Sequence, residues 1–327
     1  MNTAIAAFTN RGVNLALRLA EFLGAEVFVP ERFSRDGVNV IGSTLSDWAG
    51  KMFRESRALI FVGACGIAVR SVAPHVKNKM SDPAVVVIDE SGRFVIPLLS
   101  GHVGGANDLA RKIAAFLHAV PVITTATDVN NLVAVDEWAV KNDCVIENPG
   151  AVKNVSAEIL EGHRVCTSAP PAGVGVAVTC ENVPAPFPVT LMLRPKILVL
   201  GAGCNRGVSP EDFESSAMDF LRGAGVSVMS LKALATIDIK RDEPAMKIFA
   251  ESHNIPLVTF TADELNTLAG NFTASERVRH FTGTDNVCER SCVLCAGEGG
   301  VLLRSKTVYN GITFALARSD YSDTTAR

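Results

Sequence analysis

The sequence predicts two α/β domains with mostly parallel sheets, joined by a short β/linker middle region. Three observations predict it. Short apolar runs alternate with helix-periodic segments over the first 130 residues. The same alternation restarts at Lys196. Between them lies a stretch carrying Pro170, Pro171, Pro184, Pro186, Pro188 and Pro195, a density that helix interiors do not tolerate. The 327 residues suit two or three domains at roughly 100–200 residues each.

The N-terminal domain (1–130) opens with a strand at 5–8 and a helix at 14–22, where Leu15, Leu19 and Phe22 share a face. Glu26–Val29 and 59–62 read as strands, the second ending at Gly63. Ala84–Ile88 and 93–98 flank Asp89-Glu90-Ser91-Gly92, a hairpin turn that makes this pair antiparallel. Ala106–Leu117 is a helix, and a strand begins at Val122-Ile123.

In the middle region (131–194) the periodicity weakens. A helix through Trp138, a strand at Cys144–Ile146, a helix after Pro149 and then short strands and linker are expected. The C-terminal domain (195–320) starts with a strand at 197–200 running into Gly201-Ala202-Gly203. Ser209 as N-cap, Pro210 at the first helical position and Glu211-Asp212 behind it mark a helix start. A strand at 226–229, a helix at 243–253, a strand at 256–260 and a closing hairpin from 301–303 and 312–316 complete the pattern.

Composition limits function. Lys plus Arg number 31 and Asp plus Glu 34, for a net charge of −3, which argues against broad nucleic-acid binding. No apolar run reaches the ~18 residues of a membrane span, and Met1-Asn2-Thr3-Ala4-Ile5 does not look like a signal peptide. The expectation is a cytoplasmic protein without membrane or nucleic-acid partners, whose eight cysteines are reduced.

The densest polar cluster is Ser100-Gly101-His102-Val103-Gly104-Gly105-Ala106-Asn107, between a strand and a helix. Glycines admit close backbone approach, the N–H groups of a helix start suit an anion, and an unperturbed histidine near pH 6.5 serves as a general base. The plainer alternative is a glycine-rich turn with a solvated histidine. It is neither a phosphate-binding loop ending in Gly-Lys-Ser/Thr nor a dinucleotide-binding glycine fingerprint. Three other segments join it: Gly63 to Arg70, including Cys65 and Gly66; Lys79-Met80-Ser81-Asp82-Pro83; and Thr124-Thr125-Ala126-Thr127-Asp128. The first and third, with the His102 loop, are expected beyond the carboxyl ends of strands. Arg70 and Lys79 offer cations, and Thr124, Thr125 and Thr127 offer hydroxyls. Each has a simpler reading: surface charge for Arg70 and Lys79, helix cap for Asp128. In the second domain Gly201 to Gly207 can cradle a carboxylate that Arg206 clamps, and 238–243 is a charged loop containing Lys240.

Cys288, Cys292 and Cys295 have the C-x3-C-x2-C spacing of radical iron–sulfur enzymes. The i, i+4, i+7 spacing is also one face of a helix, and small cysteines facing a core explain it.

Gly66 to Arg70 with Pro74, then 79–83, 85–92, 96–107 and 122–128, resemble the N-terminal domain of the cobalt-precorrin-5A hydrolases. The segment 197–207, then Ser209, Asp238, Lys240, Glu243 and 311–318, resemble that family's C-terminal domain. The Cys288 to Cys295 helix departs from the family, where alanines are expected. The resemblance implies a cobalt-bearing tetrapyrrole substrate with acetate and propionate arms, whose δ-lactone is hydrolysed and which then releases acetaldehyde. It implies no separate cofactor, since cobalt comes with the substrate, and no resident metal. On this footing His102 is expected to activate water or deprotonate the released alcohol, with N–H groups around Gly104 and Gly105 stabilising the oxyanion. Asp82, Asp128 and Cys65 are the fallback proton-transfer or nucleophilic groups. Gly66, Arg70, Lys79, Asn107, Thr124, Thr125, Thr127, Gly203, Arg206 and Lys240 are expected to bind substrate, in a cleft between domains. A non-catalytic corrinoid carrier and an iron–sulfur enzyme are the alternatives. Oligomeric state and transient contacts with neighbouring pathway enzymes stay open.

Overall fold

The computed structural model describes residues 3–78, 81–130, 132–163, 165 and 173–320. It divides into two units, Met1–Glu137 and Trp138–Arg327.

The first unit contains strands β1 (Thr3–Ala7), β2 (Glu26–Val29), β3 (Asn39–Val40), β4 (Ala58–Val62), β5 (Ala84–Ile88), β6 (Phe94–Leu99) and β7 (Val120–Pro121). Its helices are α1 (Asn10–Leu23), α2 (Leu45–Glu55), α3 (Cys65–Val72), α4 (Ala106–Leu117) and α5 (Ala126–Val129), and α6 (Val135–Lys141) runs across the division. The sheet order is β3-β2-β1-β4-β5-β6-β7. Every neighbour is parallel except β5 and β6, which pair antiparallel. Both faces are buried, as continuous apolar strands require. Ile5, Ile60 and Val86 pack with Val13, Leu19 and Ile113 on one side. Leu59, Phe61, Val85 and Val87 pack with Trp48, Met52 and Val72 on the other. α1 starts where the Thr9 hydroxyl accepts from the Gly12 N–H and stops at Gly24, whose φ of 65° is left-handed.

The hairpin has a consequence for the sites. The amino-terminal residues Ala58 and Ala84 pair across β4 and β5, and Val85 faces Leu99. The loop after β6 therefore emerges at the amino ends of the parallel strands β1, β4 and β5. The Gly63 to Arg70 segment leaves the carboxyl end of β4, the opposite edge of the sheet. Each segment lies beyond the carboxyl end of its own strand, as expected, but at opposite ends of the sheet. An antiparallel strand delivers its own carboxyl end to its neighbours' amino ends.

The second unit contains a three-stranded sheet, β8-β10-β9, from β8 (Cys144–Ile146), β9 (Val174–Val178) and β10 (Val189–Pro195). Helix α7 (Gly150–Leu160) packs on it. A five-stranded sheet follows, with β11 (Leu198–Cys204), β12 (Leu231–Ile237), β13 (Leu257–Phe260), β14 (Val301–Tyr309) and β15 (Ile312–Arg318) in the order β13-β12-β11-β15-β14. Its helices are α8 (Pro210–Gly223), α9 (Pro244–Ser252), α10 (Ala262–Asn266), α11 (Glu276–Thr282) and α12 (Cys288–Ala296). Ser209 caps α8 by accepting from the Asp212 N–H at 3.1 Å, with Pro210 first in the helix. The strand expected at 226–229 is instead a turn with a short 3-10 helix at Val228–Ser230, and the strand is β12. Leu231-Lys232-Ala233-Leu234-Ala235 has helix-forming composition, which burial in mid-sheet overrides. Helices α2 and α3 and the short β3 are also additions to the expected pattern, and the strand expected to begin at Val122-Ile123 lies just before it, at Val120–Pro121.

Among the described residues no helix is long and apolar enough to cross a membrane.

Candidate active site around His102

The loop after β6 is stapled to itself. Ser100 turns it with a φ of 57° and Gly105, φ 79°, caps α4. Ala106 N–H donates to the Ser100 carbonyl at 3.1 Å, and Asn107 N–H to Gly101 at 3.0 Å. Gly101 is needed here, because a Cβ would sit 2.8 Å from Asn107 Oδ1. Asn107 and Arg111 are four residues apart and share a face of α4. Both point at Asp128 of α5. Asn107 Nδ2 donates to Asp128 Oδ2 at 2.9 Å and to Thr125 Oγ1 at 3.3 Å, while Arg111 pairs with Asp128 Oδ1.

His102 sits between two carboxylates. Nε2 is 3.0 Å from Asp128 Oδ2 and Nδ1 is 3.3 Å from Asp136 Oδ1. All three side chains are nearly buried, at 14%, 9% and 8% exposure. The hydrogen bond to Asp136 pushes the imidazole pKa up to about 9; burial opposes this, and Asp128 adds to the rise. Burial acts to raise the Asp128 carboxyl, but hydrogen bonds from Arg111 and His102 outweigh it and hold it below its ordinary value. At neutral pH His102 is therefore an imidazolium with both N–H groups engaged. That corrects the expectation of an unperturbed histidine ready to accept a proton.

Two further expectations change. The Gly105 N–H donates to the His102 carbonyl at 2.9 Å, so it is not free to stabilise an oxyanion. Asp82 is not aimed at His102: its carboxylate accepts from the Lys77 and Asn78 N–H groups at 2.8 and 3.0 Å and closes the turn before β5. Asp82 does line a surface hollow with Gly104, Gly105, Arg54 and Arg57. Gly66 and Arg70 lie together at the other end of the sheet, in α3, beside Cys65. Thr124 is exposed near the cluster's chain segment. Lys79 and the Thr127 side chain lie outside the described residues. In the second unit Gly203 and Lys240 line one pocket, whereas Arg206 is exposed and does not line it.

Sequence reasoning missed Arg111, Asp136 and Glu137. Arg111 was detectable as the residue one turn beyond Asn107 on α4. Asp136 and Glu137 carried no signal beyond acids in the first turn of a short helix. Ligand atoms of His102, Asp128 and Glu137 lie within 4.8 Å of one another, close enough for a cation. Both Asp128 oxygens, however, already serve Arg111, His102 and Asn107, so a cation there would compete with two positive partners.

The cysteine helix is buried packing. Cys288 and Cys292 are 1% and 0% exposed, and a Cβ on Gly201 of β11 would collide with the Cys288 carbonyl. Burial pushes the Cys288 thiol up to about 12 and those of Cys292 and Cys295 upward as well, the reverse of what thiolate ligands need.

Residues 47–128 match the family model Cobalamin synthesis G N-terminal, and residues 198–317 match Cobalamin synthesis G C-terminus. A cobalt-precorrin-5A hydrolase of Salmonella typhimurium is 34% identical over 96% of this chain and 96% of its own length. The chain belongs to the cobalt-precorrin-5A hydrolase family. A second member, from Priestia megaterium, is 31% identical over 97% of this chain and 95% of its own. A probable cobalt-precorrin-5A hydrolase from Methanocaldococcus jannaschii is 26% identical over 82% of this chain and 87% of its own. The match to the N-terminal model ends at Asp128, so it includes His102, Asn107 and Arg111 but stops short of Asp136 and Glu137.

Proposed function

We propose that this chain hydrolyses the δ-lactone of cobalt-precorrin-5A and releases acetaldehyde, giving cobalt-precorrin-5B in anaerobic cobalamin synthesis. The observation that carries the reading is the end-to-end relationship to hydrolases of that name. Cobalt enters as part of the substrate, and the proton chemistry falls to the chain's own side chains, in the cytoplasm.

The clamped imidazolium suggests the order of steps. Water adds to the lactone carbonyl and loses a proton to a nearby carboxylate, Glu137 or Asp136. The tetrahedral adduct collapses, the ring C–O bond breaks, and the His102 imidazolium gives its proton to the departing alkoxide. The neutral imidazole then takes that proton back from the new hydroxyl. The carbon–carbon bond to the macrocycle breaks, acetaldehyde leaves, and the electron pair passes into the conjugated ring. His102 ends as it began. The Asp136 contact is the longer of its two, and it is the one a substrate oxygen replaces; Asp128, held by Arg111 and Asn107, keeps the ring oriented.

The test is anaerobic incubation with cobalt-precorrin-5A, with trapped acetaldehyde and the corrinoid product followed by mass spectrometry. Equimolar acetaldehyde and a product equal to substrate plus water minus acetaldehyde are expected. Tight binding without acetaldehyde would make the chain a carrier instead.

A further inference from the structure

The five-stranded sheet of the second unit carries a pocket of about 140 Å3, space on the order of five water molecules. It opens beyond the carboxyl ends of two neighbouring parallel strands: Gly203 and Cys204 end β11, and Ile237 ends β12. That is the position where open α/β sheets bind ligands. One wall is apolar, from Ile237, Ile239, Val278 and Val287, with the thiols of Cys204 and Cys288. Burial pushes those thiols to about 11 and about 12, so they stay neutral.

The polar end is built from two lysines and an amide. Lys240 is neutralised by Glu243 at 2.8 Å, a nearly buried pair. Among the described residues Lys306 has no carboxylate within 4.0 Å of its ammonium. Its backbone is fixed, because the Lys306 N–H donates to Glu289 Oε1 at 2.6 Å. Glu289 is itself 1% exposed and held by Thr273 and Asn286. Asn205 is held against the Asn310-Gly311 turn: its N–H donates to the Gly311 carbonyl at 3.0 Å, and a Cβ on Gly311 would collide with its amide. The hydroxyls of Thr282 and Thr313 already donate to backbone carbonyls. Among the described residues, the side chains of Lys306 and Asn205 are therefore the pocket donors without a hydrogen-bond acceptor, and the Glu289 carboxylate is taken up by the Lys306 backbone, Thr273 and Asn286 and does not pair with the Lys306 ammonium.

We propose that this pocket binds a single carboxylate on a short apolar stem, gripped by Lys306 and Asn205 with the stem against Ile237, Val278 and Val287. An acetate or propionate arm of the tetrapyrrole has that chemistry, and so does a free short-chain acid. The first source rests on the function proposed above; the pocket's ligand class does not.

The experiment uses the full-length chain labelled with 13C-lysine, titrated with propionate at constant ionic strength. The side-chain resonances of Lys306 and Lys240 should shift together and saturate, while exposed lysines follow a linear drift. Lys306→Gln should abolish the saturable shift at Lys240, and Asn205→Ala should weaken it about five-fold. In the acetaldehyde assay Lys306→Gln should raise KM about ten-fold with kcat within two-fold if an arm of the substrate is bound, and propionate should then compete with substrate. Saturable binding without competition assigns the pocket to a free short-chain acid. Shifts that do not saturate, or that survive in Lys306→Gln, overturn the proposal. Because the titration needs no turnover, its result stands apart from whether the chain is a hydrolase.

Discussion

His102 shows how much a residue's role depends on neighbours that its own motif does not contain. Glycines on both sides suggest a mobile, titrating imidazole, whereas Asp136 and Asp128 lock it and raise its pKa to about 9. At pH 7.5 both ring nitrogens should carry protons, which long-range 1H–15N spectra of His102 will show; a neutral tautomer at that pH would refute the clamp. A raised folded-state pKa has a definite sign in stability. The contribution is complete below the unfolded value of about 6.5, and is lost as pH rises through about 9. The shift corresponds to about 3 kcal/mol, so denaturation midpoints should fall between pH 7 and 10, and His102→Gln should flatten that slope. In catalysis His102→Ala and His102→Gln should both lose ~10²–10⁴ in kcat, the usual weight of a proton-transfer group. The wild-type rate should decline above about pH 9, as the acid form is depleted. A decline on the acid side of pH 7 instead would identify an ordinary histidine base.

At the scale of elements, local signals and strand direction were legible, and the end of the sheet that each loop reaches was not. Helix α4 (Ala106–Leu117), strand β8 (Cys144–Ile146) and the Ser209-Pro210 start of α8 were readable because caps and apolar periodicity sit within a few residues. The antiparallel hairpin was readable too, and reversing β6 moves the His102 loop to the end of the sheet opposite Arg70. Only the pairing register, a non-local fact, separates them. Asp136 was missed because α6 is two turns long and offers little periodicity. The face of α12 was readable, and its contact explains a glycine that local reasoning assigned to a ligand turn. Gly201 lies under the Cys288 carbonyl, so Gly201→Ala should destabilise at the upper end of the ~1–3 kcal/mol typical of overpacking. Replacing Cys288, Cys292 and Cys295 together by alanine should cost only ~1 kcal/mol per site and leave acetaldehyde release intact. Both are measured by urea denaturation beside the activity assay. Activity lost from a fully folded triple variant would return the cysteines to the chemistry.

At the scale of the whole molecule, the question is what each unit holds by itself. His102, Asn107, Arg111, Asp128, Asp136 and Glu137 all fall within Met1–Glu137, and the seven-stranded sheet buries both its faces there. The carboxylate pocket falls wholly within Trp138–Arg327. A division after Asn142 leaves α6 unbroken and passes only residues 138–142 of the second unit to the first fragment. Fragment 1–142 should therefore fold and keep His102 protonated at pH 7.5, since every group that raises its pKa travels with it. Fragment 143–327 should keep the saturable propionate shift at Lys306. Neither should release acetaldehyde alone, because the family relationship extends over both units, with models matched at 47–128 and at 198–317. The measurement is the acetaldehyde assay on each fragment and on their mixture, with the His102 spectrum as the control for folding. Full rate from 1–142 would make the second unit dispensable and its pocket unrelated to substrate. A folded 1–142 with a neutral His102 would mean that the clamp depends on groups beyond Asn142, and the proton-transfer assignment would have to be rebuilt around them.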